Sequence, residues 1–223
     1  MKKLVLIFVA LLPALMAIAQ NNFEWPIKEL DTARDANYLS EAEKDLILET
    51  NMVRYNPAMY AQQHMLWMEI YYNDKLLAIP GKKTYQTNEG KAAFLECIEA
   101  LKKAEPAPIL YPSRGMSRAC KLLVLDQSST GKTGHKGSGN TTPDDRMKRF
   151  GSFLGYFAEN IHYGDTEPRF AIISLLIDDG VRNRGHRKTI LSSDFNRIGV
   201  AMGDHKVYEG MCVINYATSF TEK

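Results

Sequence analysis

The sequence predicts an α+β domain from three observations: helix-period apolar patterns before residue 128, an extended segment over 153–163, and an antiparallel hairpin closing the chain over 197–220. Residues 20–39 carry Asn, Pro and mixed charge without periodicity and read as an extended N-terminal arm. Ser40 and Glu43 then stand at capping-box spacing, and Leu46, Leu48, Met52 and Val53 form one apolar set. That helix breaks at Asn56-Pro57, because proline restarts a helix rather than continuing one. An apolar face runs on through Trp67, Ile70, Tyr71 and Tyr72, and residues 81–88 read as loop. A second helix covers residues 89–103 and is stopped by Glu105-Pro106-Ala107-Pro108. A third follows Ser113 as far as Gln127, with Met116, Ala119, Leu122, Leu123 and Leu125 as its apolar set. Residues 128–143 are the loosest stretch, 144–150 a short helix, and 169–178 a strongly apolar one. Residues 197–203 and 207–220 are two strands, with Gly203-Asp204-His205-Lys206 as the turn between them.

The chain opens on Met1-Lys2-Lys3, an apolar run from Leu4 to Ala19, and Ala17-Ile18-Ala19 before Gln20. That order is a signal peptide over residues 1–19, and it predicts a protein secreted to an extracellular or periplasmic space, without a stable membrane span after cleavage. The formal charge of +2 includes Lys2 and Lys3. A mature chain near neutrality gives no case for nucleic acid, and the short basic runs Lys102-Lys103 and Arg146-Met147-Lys148-Arg149 read as solvated faces. Three cysteines are too few for a disulfide framework and odd in number. At least one thiol is therefore unpaired in a monomer, and a Cys97–Cys120 bridge is the pairing to look for.

The chemistry concentrates between residues 135 and 186. Gly131-Lys132-Thr133 lacks the earlier glycine of a phosphate-binding loop, and neither a nucleophile elbow nor a zinc-protease signature is present. Asn140-Thr141-Thr142 is a glycosylation sequon, useful only where the exporting cell can use it. His64, His162 and His205 read as structural or solvent-facing. His135 and His186 differ, since each follows a glycine in a loop, where the backbone can carry an imidazole into a cleft. Neutral imidazoles bind zinc, and Glu159 or the pair Asp178-Asp179 could supply a ligand or orient a histidine. Loop-stabilising hydrogen bonds are the plainer reading of the same residues.

The order of motifs resembles the CAP superfamily, the cysteine-rich secretory, antigen 5 and pathogenesis-related proteins, in their microbial form without disulfide-rich appendages. The matching pieces are Glu49-Thr50-Asn51-Met52-Val53-Arg54 with Pro57 after it, Gly134-His135, Glu159-Asn160-Ile161 with Gly164, Gly185-His186-Arg187, and Ile198-Gly199-Val200. The resemblance implies a CAP (SCP-like) domain over residues 40–223: a three-layer α-β-α sandwich with a central antiparallel sheet. It also implies a cleft tetrad of two histidines and two acids. His135, Glu159 and His186 take three places; Asp178, with Asp179 one residue away, takes the fourth, where the family usually has glutamate. Leu175 stands where a tryptophan is frequent, and residues 180–184 look like an added loop. The leading expectation is a secreted module holding a divalent metal, zinc above all, at His135 and His186, with an extracellular ligand or protein partner in the cleft. The alternative is a metal-dependent hydrolase with Glu159 as general base and catalytic candidate. Sterol or lipid binding, known for some relatives, is a third.

Overall fold

A computed structural model describes residues 24–223. The signal peptide lies outside the described residues. Residues 24–39 do not run as an extended arm: they hold a four-residue helix, α1 (Ile27–Leu30), and bury Leu30 and Ala33. Asn51 fixes this segment, donating from Nδ2 to the Leu30 carbonyl at 2.9 Å and receiving the Leu110 N–H at 2.8 Å.

Helix α2 (Glu41–Tyr55) starts at the expected capping box of Ser40 and Glu43. Asn56 caps the short α3 (Pro57–Tyr60), with Pro57 in the first turn, where its missing N–H costs nothing. A π-turn (Ala61–Met65) and a 3₁₀ segment (Leu66–Tyr71) follow. Residues 72–86 form a small antiparallel sheet of two-residue strands, β1 (Tyr72–Asn73), β2 (Leu76–Leu77) and β3 (Tyr85–Gln86), the last within residues expected as loop. Next come α4 (Lys91–Lys103), β4 (Tyr111–Pro112) and α5 (Arg114–Thr130), the last capped by Ser113 and ended by left-handed Gly131.

Thr142 and Asp145 box the start of α6 (Pro143–Lys148), which leads into β5 (Gly151–Tyr163). Glu167 caps α7 (Pro168–Ile177), and α8 (Gly185–Leu191) begins at Gly185. Strands β6 (Arg197–His205) and β7 (Glu209–Glu222) close the chain, with residues 206–208 rather than 203–206 as their turn.

The main sheet has the order β4-β6-β7-β5. Its three long strands are antiparallel, as expected, and only the two-residue β4 runs parallel to its neighbour β6. Alternating side chains of β6 and β7 feed two sides. Val213, Met211 and Ala201 pack with Cys120, Leu123 and Val124 of α5, while Cys212, Ile214 and Tyr216 join the larger core. That core includes Leu46 and Ile47 of α2, Phe94 of α4 and Ile172 of α7. The layers are therefore α5, sheet, and the α2–α4–α7 group: an α+β three-layer sandwich. Gly199 sets the α5 spacing, since a Cβ there would lie 2.3 Å from Met116 Cβ and 2.4 Å from its carbonyl carbon.

Two features place the candidate site on this frame. Strand β5 forms the edge of the sheet, so both of its faces are reachable from one rim. Arg54 is fully buried in α2 and donates to the carbonyls of Pro108, Ile190, Ser192 and Phe195 at 2.7–3.0 Å, which ties the end of α8 to the core. Burial pulls its guanidinium down to about 10. A buried charge is tolerable only when its donors are satisfied, and four carbonyls do that here. All three cysteines are free and buried, so the Cys97–Cys120 bridge is absent. Burial raises the thiols of Cys97 and Cys212 to about 12, the behaviour of small core residues rather than reactive ones.

Candidate functional site

The four expected residues arrange themselves as two histidine–carboxylate pairs beside strand β5. In the first, His135 Nδ1 meets Glu159 Oε1 at 3.0 Å. The Glu159 carboxylate is buried while the His135 side chain is half exposed. In the second, His186 Nδ1 meets Asp178 Oδ1 at 2.6 Å, and the other carboxylate oxygen accepts the His186 N–H at 2.9 Å. Asp178, not Asp179, is thus the acid facing His186. Asp179 instead accepts from the N–H groups of Asn88 and Glu89 at 2.6 and 2.8 Å.

The local sequence explains how each pair forms. Gly134 has φ +91°, a turn that carries His135 away from the end of α5. Gln127 Nε2 donates to the Gly134 carbonyl at 2.6 Å, Tyr163 Oη donates to Gln127 Oε1 at 2.8 Å, and the Gly134 N–H donates back to Tyr163 Oη at 2.8 Å. This closed ring fixes the turn. His186 does not sit in a loop as the sequence suggested: it lies in the first turn of α8. There its N–H has no helical partner, and Asp178, left-handed at the end of α7, supplies the missing acceptor.

A residue that sequence reasoning missed supports the first pair. Arg146 was expected on a solvated face, yet its side chain is 2 % exposed. It donates from Nη2 to Glu159 Oε2 at 2.7 Å and from Nη1 to the carbonyls of His135 and Thr141, both at 3.0 Å. One guanidinium therefore neutralises the acid and holds the backbone of the histidine that the acid faces. The available signal was the Thr142/Asp145 capping box, which starts a helix whose next turn must bury something against β5.

Glu159 and Asn160 are consecutive in β5, so their side chains leave opposite faces. Glu159 turns toward Arg146, on the α6 side; Asn160 turns toward α8 and donates to the His186 carbonyl at 3.1 Å. The two pairs thus approach the edge strand from its two sides. Each carboxylate can only accept, so in each neutral ring the proton is on Nδ1 and Nε2 is left as a bare acceptor. Among the described residues no hydrogen bond occupies Nε2 of His135 or His186. No group of three or more His, Cys, Asp and Glu stands ready to hold a metal there.

His162 and His205 serve the structure. His205 Nε2 donates to the Lys132 carbonyl and its Nδ1 receives the N–H groups of Val207 and Tyr208. His162 Nε2 donates to the Asp165 carbonyl at 2.9 Å. Burial, and to a lesser degree nearby His186, holds the His162 imidazole below its ordinary value.

The family model of the cysteine-rich secretory protein (CAP) family matches residues 88–216, which contain all four site residues. The chain belongs to the CAP family. Two solved structures resemble this CAP domain at low identity. An extracellular SCP-domain protein from Bacillus anthracis str. Ames is 19% identical, with a TM-score of 0.40 over 57% of this chain and 37% of that one. An outer surface protein from Borrelia burgdorferi is 16% identical, with a TM-score of 0.41 over 57% of this chain and 90% of that one. The CAP chain thus spans well under half the length of the Bacillus protein. No curated protein matches it. Among the described residues no helix is long and apolar enough to cross a membrane.

Proposed function

We propose that this chain is an exported CAP-domain binding protein, and that His135 and His186 hold a divalent metal, zinc above all, at which an extracellular ligand or protein partner docks. The observation that carries the reading is the hydrogen bonding the two rings share. Each has its Nδ1 fixed by a carboxylate, the arrangement in which metal-binding imidazoles are held with the other nitrogen free. The donor chemistry fits zinc, while the protein ligands number only two. The metal would keep open positions, supplied by water or by the ligand, and serve there as a Lewis acid that attracts oxygen or nitrogen donors. Arg146 and the Gln127–Tyr163–Gly134 ring position His135; Asp178 and the start of α8 position His186.

The same geometry speaks against Glu159 as the base of a hydrolase. One of its oxygens faces His135 and the other receives Arg146 at 2.7 Å, so neither is free to take a proton from water. The test is Glu159→Gln in purified protein. A binder loses metal affinity by roughly 10–100-fold and has no activity to lose. A chelator-sensitive hydrolysis by the wild type, reduced roughly 10²–10⁴-fold in the variant with metal still bound, would install the hydrolase instead.

A further inference from the structure

A cavity of about 300 Å³ opens beside His186. Its walls are mostly apolar: Met68 from the 3₁₀ segment, Tyr72, Leu77 and Tyr85 from the small sheet, and Phe170 and Ile173 from α7. The first four precede residue 88, where the family match begins. The size lies at the small end of ligand pockets, roughly 300–1,000 Å³.

We propose that this cavity binds a small neutral apolar molecule bearing one hydroxyl, a phenol or short alcohol, with its body under the small sheet and its hydroxyl donating to an imidazole nitrogen. The acceptor side is set by the two histidines in the lining, His162 and His186. His162 Nε2 must carry its proton, because its partner is the Asp165 carbonyl. Burial favours the neutral form of that ring, in which Nδ1 is an acceptor. His186 is bonded through Nδ1 to Asp178, which in the metal-free protein leaves Nε2 as the second acceptor. A donor head group is what two imidazole acceptors take.

The charges nearby are already satisfied, and this argues for a neutral ligand. Asp178 is paired with His186, and Asp179 holds two backbone N–H groups. Lys82, which sits over the Phe170 ring, bonds Asp165 at 2.6 Å. No carboxylate or ammonium among the lining groups waits for an opposite charge. Apolar cavities of this order bind aromatic molecules without further help.

The proposal needs no metal, so it is tested on chelator-treated full-length mature protein. Binding of 4-butylphenol and of butylbenzene is followed by calorimetry and by the imidazole resonances of His162 and His186. One saturable site is expected, with the phenol tighter by roughly 3–10-fold, the worth of one hydrogen bond. Leu77→Trp fills the cavity from its roof and should weaken the phenol by at least about tenfold. Absence of saturation, equal affinity of the two probes, or unchanged binding by a folded Leu77→Trp would overturn it. If that variant fails to fold, the two-probe comparison on wild type decides alone. Zinc uptake is read separately, so the failure of either idea leaves the other standing.

Discussion

The two histidine–carboxylate pairs look alike in sequence and are held by different physics. His135–Glu159 depends on a side chain: a buried guanidinium neutralises a buried carboxylate, and the imidazole itself is half exposed. His186–Asp178 depends on backbone: the carboxylate takes an otherwise orphaned N–H at the start of α8 and sits left-handed at the end of α7. The first pair is therefore sensitive to loss of the neighbouring Arg146 charge, and the second to local backbone geometry. Equal motifs do not imply equal failure modes.

The largest effect should come from Arg146→Met. It leaves Glu159 as an uncompensated buried carboxylate, which costs roughly 3–5 kcal/mol in comparable buried pairs. Denaturant unfolding should show that loss, and the added change Glu159→Gln should recover a substantial part of it. If Arg146→Met is as stable as wild type, the first pair is not built as described.

Asp178→Asn should cost less, about 1–2 kcal/mol, because asparagine tolerates the left-handed backbone (φ 55°) and keeps an acceptor for the His186 N–H. Its sharper effect is on the ring. Without the carboxylate the Nδ1–H tautomer of His186 loses its partner, and ¹⁵N shifts of the imidazole should report a mixed tautomer while those of His135 stay unchanged. A shift at both rings would deny that the pairs are independent.

The smallest effect concerns His162. Its folded pKa lies below the unfolded value of about 6.5, so the unfolded chain binds the proton more readily. Stability from the neutral ring is full above that value and is lost as pH falls from it toward the depressed folded value. His162→Gln should flatten the pH dependence of the unfolding free energy in that window, and an unchanged slope would assign the dependence to other groups.

Much of this architecture was legible because local rules and tertiary demand agree. The capping box at Ser40, the stop at Asn56-Pro57 and the antiparallel pairing of the C-terminal hairpin are where the residues put them. Residues 24–39 and the strand at 85–86 were misjudged because their order comes from contacts across the chain, such as Asn51 with Leu30 and the pairing of Leu77 with Tyr85. Arg146 was missed for the reason that charge runs are usually solvated: nothing in Arg-Met-Lys-Arg marks which member turns inward. His186 was expected in a loop since Gly185 ordinarily ends helices more often than it begins them. The choice between Asp178 and Asp179 needed the coordinates, as adjacent residues at a helix end point in different directions.

The central claim is that His135 and His186, approaching β5 from its two sides, hold one metal together. Zinc titration of the mature protein, with His135→Ala, His186→Ala and the double variant in parallel, tests it most directly. One zinc per chain is expected at neutral pH, weakening in acid as protons compete with the metal for the imidazole nitrogens. Either single variant should lose stoichiometric binding with the fold intact. Undiminished zinc uptake by the double variant, or by either single one, would contradict the claim.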